Sequence, residues 1–385
     1  MPPSLKSVLL NSRAEKLIHR SPAATSQALR FHQSLAEYAK TSLHDLPSLA
    51  ESLGLKRVLL KDESHRLGLP SFKILGASWA VYRAVATALG LNRAQLDQQW
   101  PTVAQLAEAA SGSGITLVCT TEGNWGRAVA RMAKLLSVNC VVFVPGDMHP
   151  ATRALIVNEG ADVVVVQDGD YDDCVVLAQR RAAEAGDKGL LVMDIAWDDY
   201  VEVPEWVVQG YATSMHELDE GLRAVGASPT HTIVPCGCGS IAQAVVQHFK
   251  SRPTAESTPP TQIIAVEPTA AACLYESLQA DASTTVKTGE TIMAGLNCGT
   301  LSTSAWPILR AGIDASAVIS DQQAHAAVED LRALGIDAGP CGAAGLAALR
   351  LVCADAELRA SLGLDQNSVV VLWLTEGSRE YHIPS

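Results

Sequence analysis

The segment with the clearest chemical potential is residues 71–76, Ser-Phe-Lys-Ile-Leu-Gly, which follows the apolar run 58–60. A lysine near the start of a helix usually lies in solvent, and this hexapeptide alone favours that interpretation. An amine held in an apolar cleft can instead bond covalently to the aldehyde of a cofactor. Lys73 is therefore a candidate nucleophile whose role depends on the other motifs of the chain.

A glycine-rich turn lies far downstream at residues 235–242, between a predicted strand and a predicted helix that runs to about Lys250. The backbone N–H groups at such a helix N-terminus bind phosphate without a positive side chain. An ordinary turn and a dinucleotide site are the alternatives, and Ala242 in place of a third glycine weakens the dinucleotide interpretation. The candidate phosphate ligands are Cys236, Gly237, Cys238, Gly239, Ser240 and Ile241. A lysine and a phosphate cradle together point to pyridoxal phosphate (PLP), which carries an aldehyde and a phosphate.

Two shorter motifs each follow a predicted strand. Residues 121–127, Thr-Glu-Gly-Asn-Trp-Gly-Arg, bring backbone donors and the side chain of Asn124 to the carboxyl edge of a sheet, where ligands bind in open α/β domains. Taken alone, this motif is also compatible with a plain turn and a helix cap. Residues 374–377 place the hydroxyl of Thr375 at such an edge. A neutral hydroxyl beside a pyridine nitrogen makes the ring a weaker electron sink than an aspartate would, which suits β-elimination.

Short β-branched runs alternate with helix-length segments through most of the chain, which predicts parallel sheets. We predict strands at residues 57–60, 115–120, 140–145, 161–167, 189–195, 232–235, 263–266 and 369–374. Helices are predicted at 150–160 and 170–186, a surface excursion at 93–114 and a linker at 251–260. The predicted fold is α/β, with two open parallel-sheet domains and the cofactor in the cleft between them. Residues 1–84 and 216–385 are expected to form the large cofactor-binding domain, and 85–215 the small α/β domain.

The composition excludes several classes of protein. Apolar residues make up 48% of the 385 residues and charged residues 18%, which is typical of a packed globular protein. The formal charge of −12 and the lack of a Lys/Arg run argue against nucleic acid as a partner. The first six residues contain no apolar signal segment, and no apolar run approaches the ~20 residues of a membrane span. We therefore expect a cytoplasmic protein.

Nine cysteines are spread along the chain, an odd number that does not suggest a disulfide framework. They fit buried thiols in a reducing compartment. The pair at 236 and 238 has no second pair or histidine cluster at zinc spacing, so no metal site is predicted.

In the order of these motifs the chain resembles the PLP-dependent enzymes of fold type II, the tryptophan synthase β-like group of serine and threonine dehydratases. Within that group it is most similar to the diaminopropionate ammonia-lyase family, over about residues 55–377. Three further segments carry this resemblance: 61–64 (Lys-Asp-Glu-Ser), 206–211 (Trp-Val-Val-Gln-Gly-Tyr) and 292–299 (Ile-Met-Ala-Gly-Leu-Asn-Cys-Gly).

The resemblance implies a role for each cofactor-binding candidate. Lys73 is expected to bond the cofactor aldehyde, and Asn124 to contact the 3′-oxygen of the pyridine ring. The glycine-rich loop is expected to hold the phosphate, and Thr375 to pair with the ring nitrogen. Cys273 and Cys298 stand where some relatives also have cysteines, and we favour two free thiols over a redox-sensitive pair in a reducing cytosol.

The resemblance also implies residues that act on the substrate. Glu122 and Asp194 correspond to two acidic residues that act around the α-carbon, and Tyr171 is expected to border the substrate, although packing is the commoner role of such an aromatic residue. The asparagine loop departs from the family pattern, because Glu122 replaces an aspartate and Trp125 a residue that is usually histidine. Residues 340–342 and 378–380 depart as well. We expect the longer acid and the larger ring to re-aim the groups at the α-carbon.

The implied reaction is α,β-elimination of 2,3-diaminopropionate, or of a similar β-substituted amino acid, to pyruvate and ammonia by a homodimer. An amine leaves the β-carbon protonated, so an acid is required, and either Asp194 or Glu122 can relay that proton. β-Replacement and a serine/threonine dehydratase-like reaction stay open as alternatives. A catalytically silent PLP-binding protein fits less well, because all the expected cofactor ligands are present together.

Overall fold

The computed structural model describes residues 7–15, 25–91, 101–251 and 260–384. The chain folds into two compact units. The first unit contains the described residues up to Glu15, residues 39–72 and the described residues from Tyr211 onward. The second contains residues 25–38 and the described part of 73–210. The first six residues, most of the predicted linker (252–259) and part of the predicted surface excursion (93–100) lie outside the described residues.

The elements alternate between strands and helices. The strands are β1 (Val8–Leu10), β2 (Leu43–Asp45), β3 (Arg57–Asp62), β4 (Thr116–Thr120), β5 (Asn139–Pro145), β6 (Asp162–Val166), β7 (Gly189–Leu191), β8 (His231–Pro235), β9 (Gln262–Pro268), β10 (Ala315–Ile319) and β11 (Val369–Leu374). The helices are α1 (Thr25–Gln33), α2 (Pro47–Ser52), α3 (Lys73–Ala88), α4 (Val103–Ala110), α5 (Asn124–Leu135), α6 (Pro150–Asn158), α7 (Tyr171–Glu184), α8 (Glu202–Ala224), α9 (Ser240–Lys250), α10 (Cys273–Ala280), α11 (Trp306–Gly312), α12 (Asp321–Ala333), α13 (Pro340–Ala354) and α14 (Ala356–Ser361).

The first unit is built on a seven-stranded sheet in the order β1-β10-β9-β8-β11-β3-β2. Its five central strands are parallel, and the two edge strands run antiparallel to their neighbours. The side chains of Val58, Ile233, Val370 and Leu372 are at most 1% exposed, as expected for parallel strands covered on both faces.

The second unit carries a four-stranded sheet in the order β6-β5-β4-β7, in which all strands are parallel. Its core packs Val118 and Phe143 of the sheet against Cys174, Ala178 and Ala182 of α7. Asp170 and Asp173 form a capping box at the start of α7. The predicted α/β fold with two parallel sheets is confirmed.

Several element boundaries differ from the prediction. Strand β7 ends at Leu191, although a strand was predicted as far as residue 195; from Leu191 to Met193, side chains bond three of the backbone groups. Helix α4 lies within the predicted surface excursion; Thr102 and Gln105 form a capping box, and Leu106 is buried. Strands β1, β2 and β10 were not predicted, since the first two are only three residues long and β10 consists largely of small residues.

The predicted domain boundaries, after residues 84 and 215, remain predictions. Both positions lie inside helices, α3 and α8 respectively. All nine cysteines are free thiols, and Cys273 and Cys298 are among them. No described helix has the length and apolar character that a membrane span requires.

A buried ionic cluster follows β3 and fixes the chain that leads toward Lys73. Arg66 contacts Glu63 (Nε to Oε2, 2.7 Å) and Glu217 (Nη2 to Oε2, 2.6 Å), and the Lys61 amine lies 3.0 Å from the same Glu217 oxygen. These four side chains are at most 1% exposed. Burial acts to raise the pKa of Glu63, but Arg66 and Lys61 outweigh it and lower that pKa to about 2. The charges are therefore paired within the cluster, as buried charges must be.

Candidate active site

The candidate residues fall into two groups, one within each unit. In the second unit, Lys73 is the first residue of α3, and its amine Nζ lies 2.8 Å from Oδ2 of Asp194. The side chain of Lys73 is 20% exposed and that of Asp194 6%. An ion pair so shielded from water is stronger than a surface pair. Two of the three predicted catalytic residues are thus in direct contact.

Glu122, the third predicted catalytic residue, lies on the loop between β4 and α5. Burial raises the pKa of its carboxyl group from 4.5 to about 7. The negative charge of Asp147 adds to this rise, and the positive charge of Lys73 opposes it. A carboxyl group with this pKa can both give and take a proton near neutral pH.

Asn124 begins α5, at the same sheet edge as Glu122. The loop before it is held by Thr121, whose Oγ1 accepts hydrogen bonds from the backbone N–H groups of Gly123 (2.8 Å) and Gly126 (3.0 Å). One bond closes the loop and the other joins it to the first turn of α5, so the two together fix the backbone at Asn124.

Trp125 packs against the lysine. The centre of its ring lies 5.9 Å from Nζ of Lys73, and its indole N–H donates a 3.0 Å hydrogen bond to the carbonyl oxygen of Val192. The side chain is buried, at 2% exposure. The larger ring that replaces a histidine therefore lies beside the amine, within the range of a cation–π interaction.

Tyr171 is the first residue of α7, after the capping residue Asp170. It is half-buried and follows β6, which is separated from β4 by one strand. Its position is thus further along the sheet edge than that of Glu122. A role for Tyr171 at the substrate stays a prediction.

The glycine-rich loop belongs to the first unit, between β8 and α9. Its six candidate residues are all buried, and Gly239 precedes the first residue of α9. Gly239 has a φ of +98°, which favours glycine. A Cβ atom at Gly237 would lie 3.1 Å from Sγ of Cys298 and 3.2 Å from the carbonyl oxygen of Gly295. Glycines are therefore required at two positions just before α9, and the N–H groups of the first turn of a helix suit a phosphate.

Thr375 follows β11, also in the first unit. Its side chain is 3% exposed, and its Oγ1 has no hydrogen-bond partner within the described ranges. A buried hydroxyl without a partner is costly, and a bound ligand is one of the ways to satisfy it. A pyridine nitrogen would satisfy it.

Backbone hydrogen bonds join the segment that carries this hydroxyl to the chain just before Lys73. The N–H of Phe72 donates to the carbonyl oxygen of Thr375 (3.2 Å), and the N–H of Gly377 donates to that of Pro70 (3.0 Å). The segment at 375–377 is therefore fixed in register with the residues that lead into α3.

Two further candidates were not predicted as functional residues. The hydroxyl of Tyr200 bonds the backbone of Leu191 and Met193, and no motif around it signals this role. Glu376 is 4% exposed and accepts a 3.1 Å hydrogen bond from the N–H of Cys341. Its place in the Thr-Glu-Gly motif was visible in the sequence, but its burial was not.

These observations fit pyridoxal phosphate. Lys73 offers a shielded amine for an aldehyde, the 236–241 loop a cradle of N–H groups for a phosphate, and Thr375 an unpartnered buried hydroxyl for a ring nitrogen. An amine, backbone N–H groups and a neutral hydroxyl thus suffice for these three contacts with the cofactor.

Comparisons with known proteins agree with this fit. The family model described as "Pyridoxal-phosphate dependent enzyme" matches residues 35–376. Diaminopropionate ammonia-lyase of Escherichia coli (strain K12) is 34% identical over 382 residues, which cover 96% of this chain and 92% of the relative. The diaminopropionate ammonia-lyase of Salmonella typhimurium (strain LT2) is 38% identical over 288 residues, which cover 74% of this chain and 69% of the relative.

A solved structure gives the same result. The crystal structure of the Escherichia coli diaminopropionate ammonia-lyase in complex with D-serine matches this chain with a TM-score of 0.84 at 32% identity. The match covers 96% of this chain and 93% of the other. The chain therefore belongs to the family of pyridoxal-phosphate dependent enzymes, and within it to the diaminopropionate ammonia-lyases.

Proposed function

We propose that this chain catalyses the PLP-dependent α,β-elimination of 2,3-diaminopropionate, or of a similar β-substituted amino acid, to pyruvate and ammonia. The observation that carries the proposal is the shielded pair of Lys73 and Asp194, with Glu122 within electrostatic reach. An amine and two carboxyl groups in different environments supply the base and the acid that elimination of an amine requires. The close similarity to diaminopropionate ammonia-lyases over 96% of the chain supports the same reaction.

PLP, when bound, supplies an electron-withdrawing ring that accepts the electrons released as the α-proton is removed. We assign its aldehyde to Lys73, its 3′-oxygen to Asn124 and its ring nitrogen to Thr375. We assign its phosphate to the 236–241 loop, whose helix N-terminus favours a negative charge.

The chain's own residues divide the proton transfers. The free amine of Lys73 removes the α-proton, and Asp194, hydrogen-bonded to that amine, orients it and stabilises the ammonium that forms. The β-amine leaves only when protonated, and burial raises the pKa of Glu122 to about 7, so this carboxyl group holds a proton closer to neutral pH than an ordinary glutamate does. Glu122 is therefore the better donor, whereas Asp194 is engaged in an ion pair with the lysine.

We also propose that the enzyme works as a homodimer in the cytoplasm. The nine free cysteines support a reducing compartment. The dimer rests on the family resemblance, and the mass of the purified holoenzyme measured by light scattering during gel filtration tests it. A monomeric mass at micromolar concentration would contradict it.

Release of pyruvate and ammonia by the PLP-loaded enzyme tests the reaction. L- and D-diaminopropionate are supplied separately, with L-serine and L-threonine in parallel. We expect pyruvate from diaminopropionate, with two ammonia per pyruvate, and none from the Lys73→Ala variant. If the cofactor is bound through Lys73 but no substrate is turned over, the elimination proposal is wrong and β-replacement becomes the better hypothesis.

A further inference from the structure

The segment that carries Asp194 is not held by a strand. The ladder between β4 and β7 ends at Val118 and Leu191, and one further bond joins the N–H of Val192 to the carbonyl oxygen of Val118 (2.8 Å). β7 is an edge strand of its sheet, so the backbone groups on its other side have no neighbouring strand to bond. Side chains bond them instead.

Tyr200 bonds two of these groups at once. Its hydroxyl donates to the carbonyl oxygen of Leu191 (2.8 Å) and accepts from the N–H of Met193 (3.0 Å). Burial raises the pKa of this phenol far above its ordinary value, so the hydroxyl keeps its proton and can play both roles.

Trp125 bonds Val192, the residue between Leu191 and Met193. Its indole N–H donates to the carbonyl oxygen of Val192 (3.0 Å), and the same ring lies over the amine of Lys73 at 5.9 Å. Two side chains thus fix three consecutive residues, and Asp194 is the next residue of the chain. Its carboxylate meets the lysine amine at 2.8 Å.

We propose that Trp125 and Tyr200 are positioning residues that hold Asp194 against the amine of Lys73 during catalysis. The inference deepens the proposed function, on which it rests. Neither residue transfers a proton itself. Each acts by fixing the backbone just before Asp194. A displacement of the Asp194 carboxylate by about 1 Å is enough to lower the rate up to 100-fold.

Two conservative variants of the holoenzyme test this inference. Trp125→Phe keeps an aromatic ring and removes the bond to Val192, and Tyr200→Phe removes only a hydroxyl. Their matched controls are Trp373→Phe, which loses a buried indole bond to Thr232 in the other unit, and Tyr82→Phe, which, like Tyr200→Phe, loses a partly buried hydroxyl bond, here to Pro101. The controls match the loss of a buried hydrogen bond without touching the segment before Asp194.

The first measurement needs no substrate: the absorbance of the lysine-bound cofactor is followed through a pH titration. Asp194 and Glu122 are acidic groups that act on Lys73, and a carboxylate near a protonated nitrogen raises the pKa of that nitrogen. We expect the two variants to lower the apparent pKa of the absorbance change and the two controls to leave it in place. In turnover, we expect kcat to fall by about 10- to 100-fold with little change in KM.

A double-variant cycle with Asp194→Asn decides whether the residues act through Asp194. We expect Trp125→Phe and Tyr200→Phe to cause no further shift of the absorbance pKa in the Asp194→Asn background. The inference would be overturned if the pKa shifts of Trp125→Phe and Tyr200→Phe added to the shift of Asp194→Asn. It would also be overturned if the two control variants shifted this absorbance pKa as much. If the wild-type enzyme does not turn over diaminopropionate, the proposed reaction fails while the substrate-free titration still tests the positioning role.

Discussion

Glu122 makes a sharp prediction, because its environment favours the neutral acid. The rise of its pKa from 4.5 to about 7 corresponds to about 3 kcal/mol of preference for the protonated form in the folded protein. The unfolded chain carries an ordinary carboxyl group, so between pH 4.5 and pH 7 the folded state binds more protons than the unfolded state. Stability contributed by Glu122 is therefore fully present below pH 4.5 and is lost as the pH rises to about 7.

The Glu122→Gln variant removes this ionisation. At pH 8 the wild-type protein must hold a half-buried carboxylate and the variant does not, so we expect the variant to be more stable by about 1–3 kcal/mol. At pH 4.5 the two proteins should have nearly equal stability. Activity should change in the opposite direction, because the glutamine cannot give a proton to the leaving amine; we expect kcat to fall by about 100-fold or more.

Thermal unfolding of the two holoenzymes at pH 4.5, 6 and 8, together with pyruvate release over the same range, measures both effects. The wild-type kcat should decline above about pH 7, as Glu122 loses its proton. Asp147→Asn provides a control, since removal of that negative charge lowers the pKa of Glu122 and moves the decline to lower pH. A stability difference that is the same at pH 4.5 and pH 8 would refute the reasoning.

Three further predictions concern the cofactor. Lys73→Ala should abolish the borohydride-reducible link to PLP, and a link that persists would disprove the covalent role of this lysine. Gly239→Ala forces a side chain into a left-handed conformation, with its Cβ 2.9 Å from Cδ1 of Leu309. The affinity for PLP, measured in an absorbance titration, should therefore fall by about tenfold or more. Unchanged affinity would argue against the 236–241 loop as the phosphate site. Thr375→Val removes a hydroxyl that has no partner among the described residues. The cofactor-free protein should therefore lose less than about 1 kcal/mol of stability, while kcat falls by about tenfold. A large loss of stability in urea unfolding would show that the hydroxyl stabilises the fold instead of binding the cofactor.

The sequence predicted those parts of the site that depend on local chemistry. Strand β4 followed by a glycine-containing loop places Glu122 and Asn124 at a sheet edge, and the turn after β8 places Gly239 before a helix. In both cases the signal lies within about ten neighbouring residues, where alternation, turn residues and caps act directly. Lys73 and Thr375 became informative only with these motifs, because a single lysine or threonine carries no such pattern.

The contacts between distant segments could not be predicted in this way. Trp125 is 67 residues from Val192, so their hydrogen bond arises from the tertiary structure. Tyr200 is only seven to nine residues from Met193 and Leu191, but no local pattern shows that its hydroxyl folds back onto them. Apolar residues at 190–193 and 195 favour a longer strand, and nothing in that run shows that it lies at the edge of the sheet, with side chains bonded to its backbone. The burial of Glu376 has the same origin, since the backbone N–H of Cys341, at the start of α13, donates a hydrogen bond to its carboxylate.

Two carboxyl groups near one lysine need not do the same work, and their surroundings separate them here. Asp194 accepts a hydrogen bond from the amine of Lys73 and forms an ion pair with it. The same lysine lowers the pKa of Glu122, but by less than burial raises it, and the negative charge of Asp147 raises that pKa further. In the proposed mechanism, the acid that contacts the Lys73 amine orients the base, and the buried acid of raised pKa protonates the leaving amine. Exchanging these environments, rather than the residue types, is what would exchange their roles.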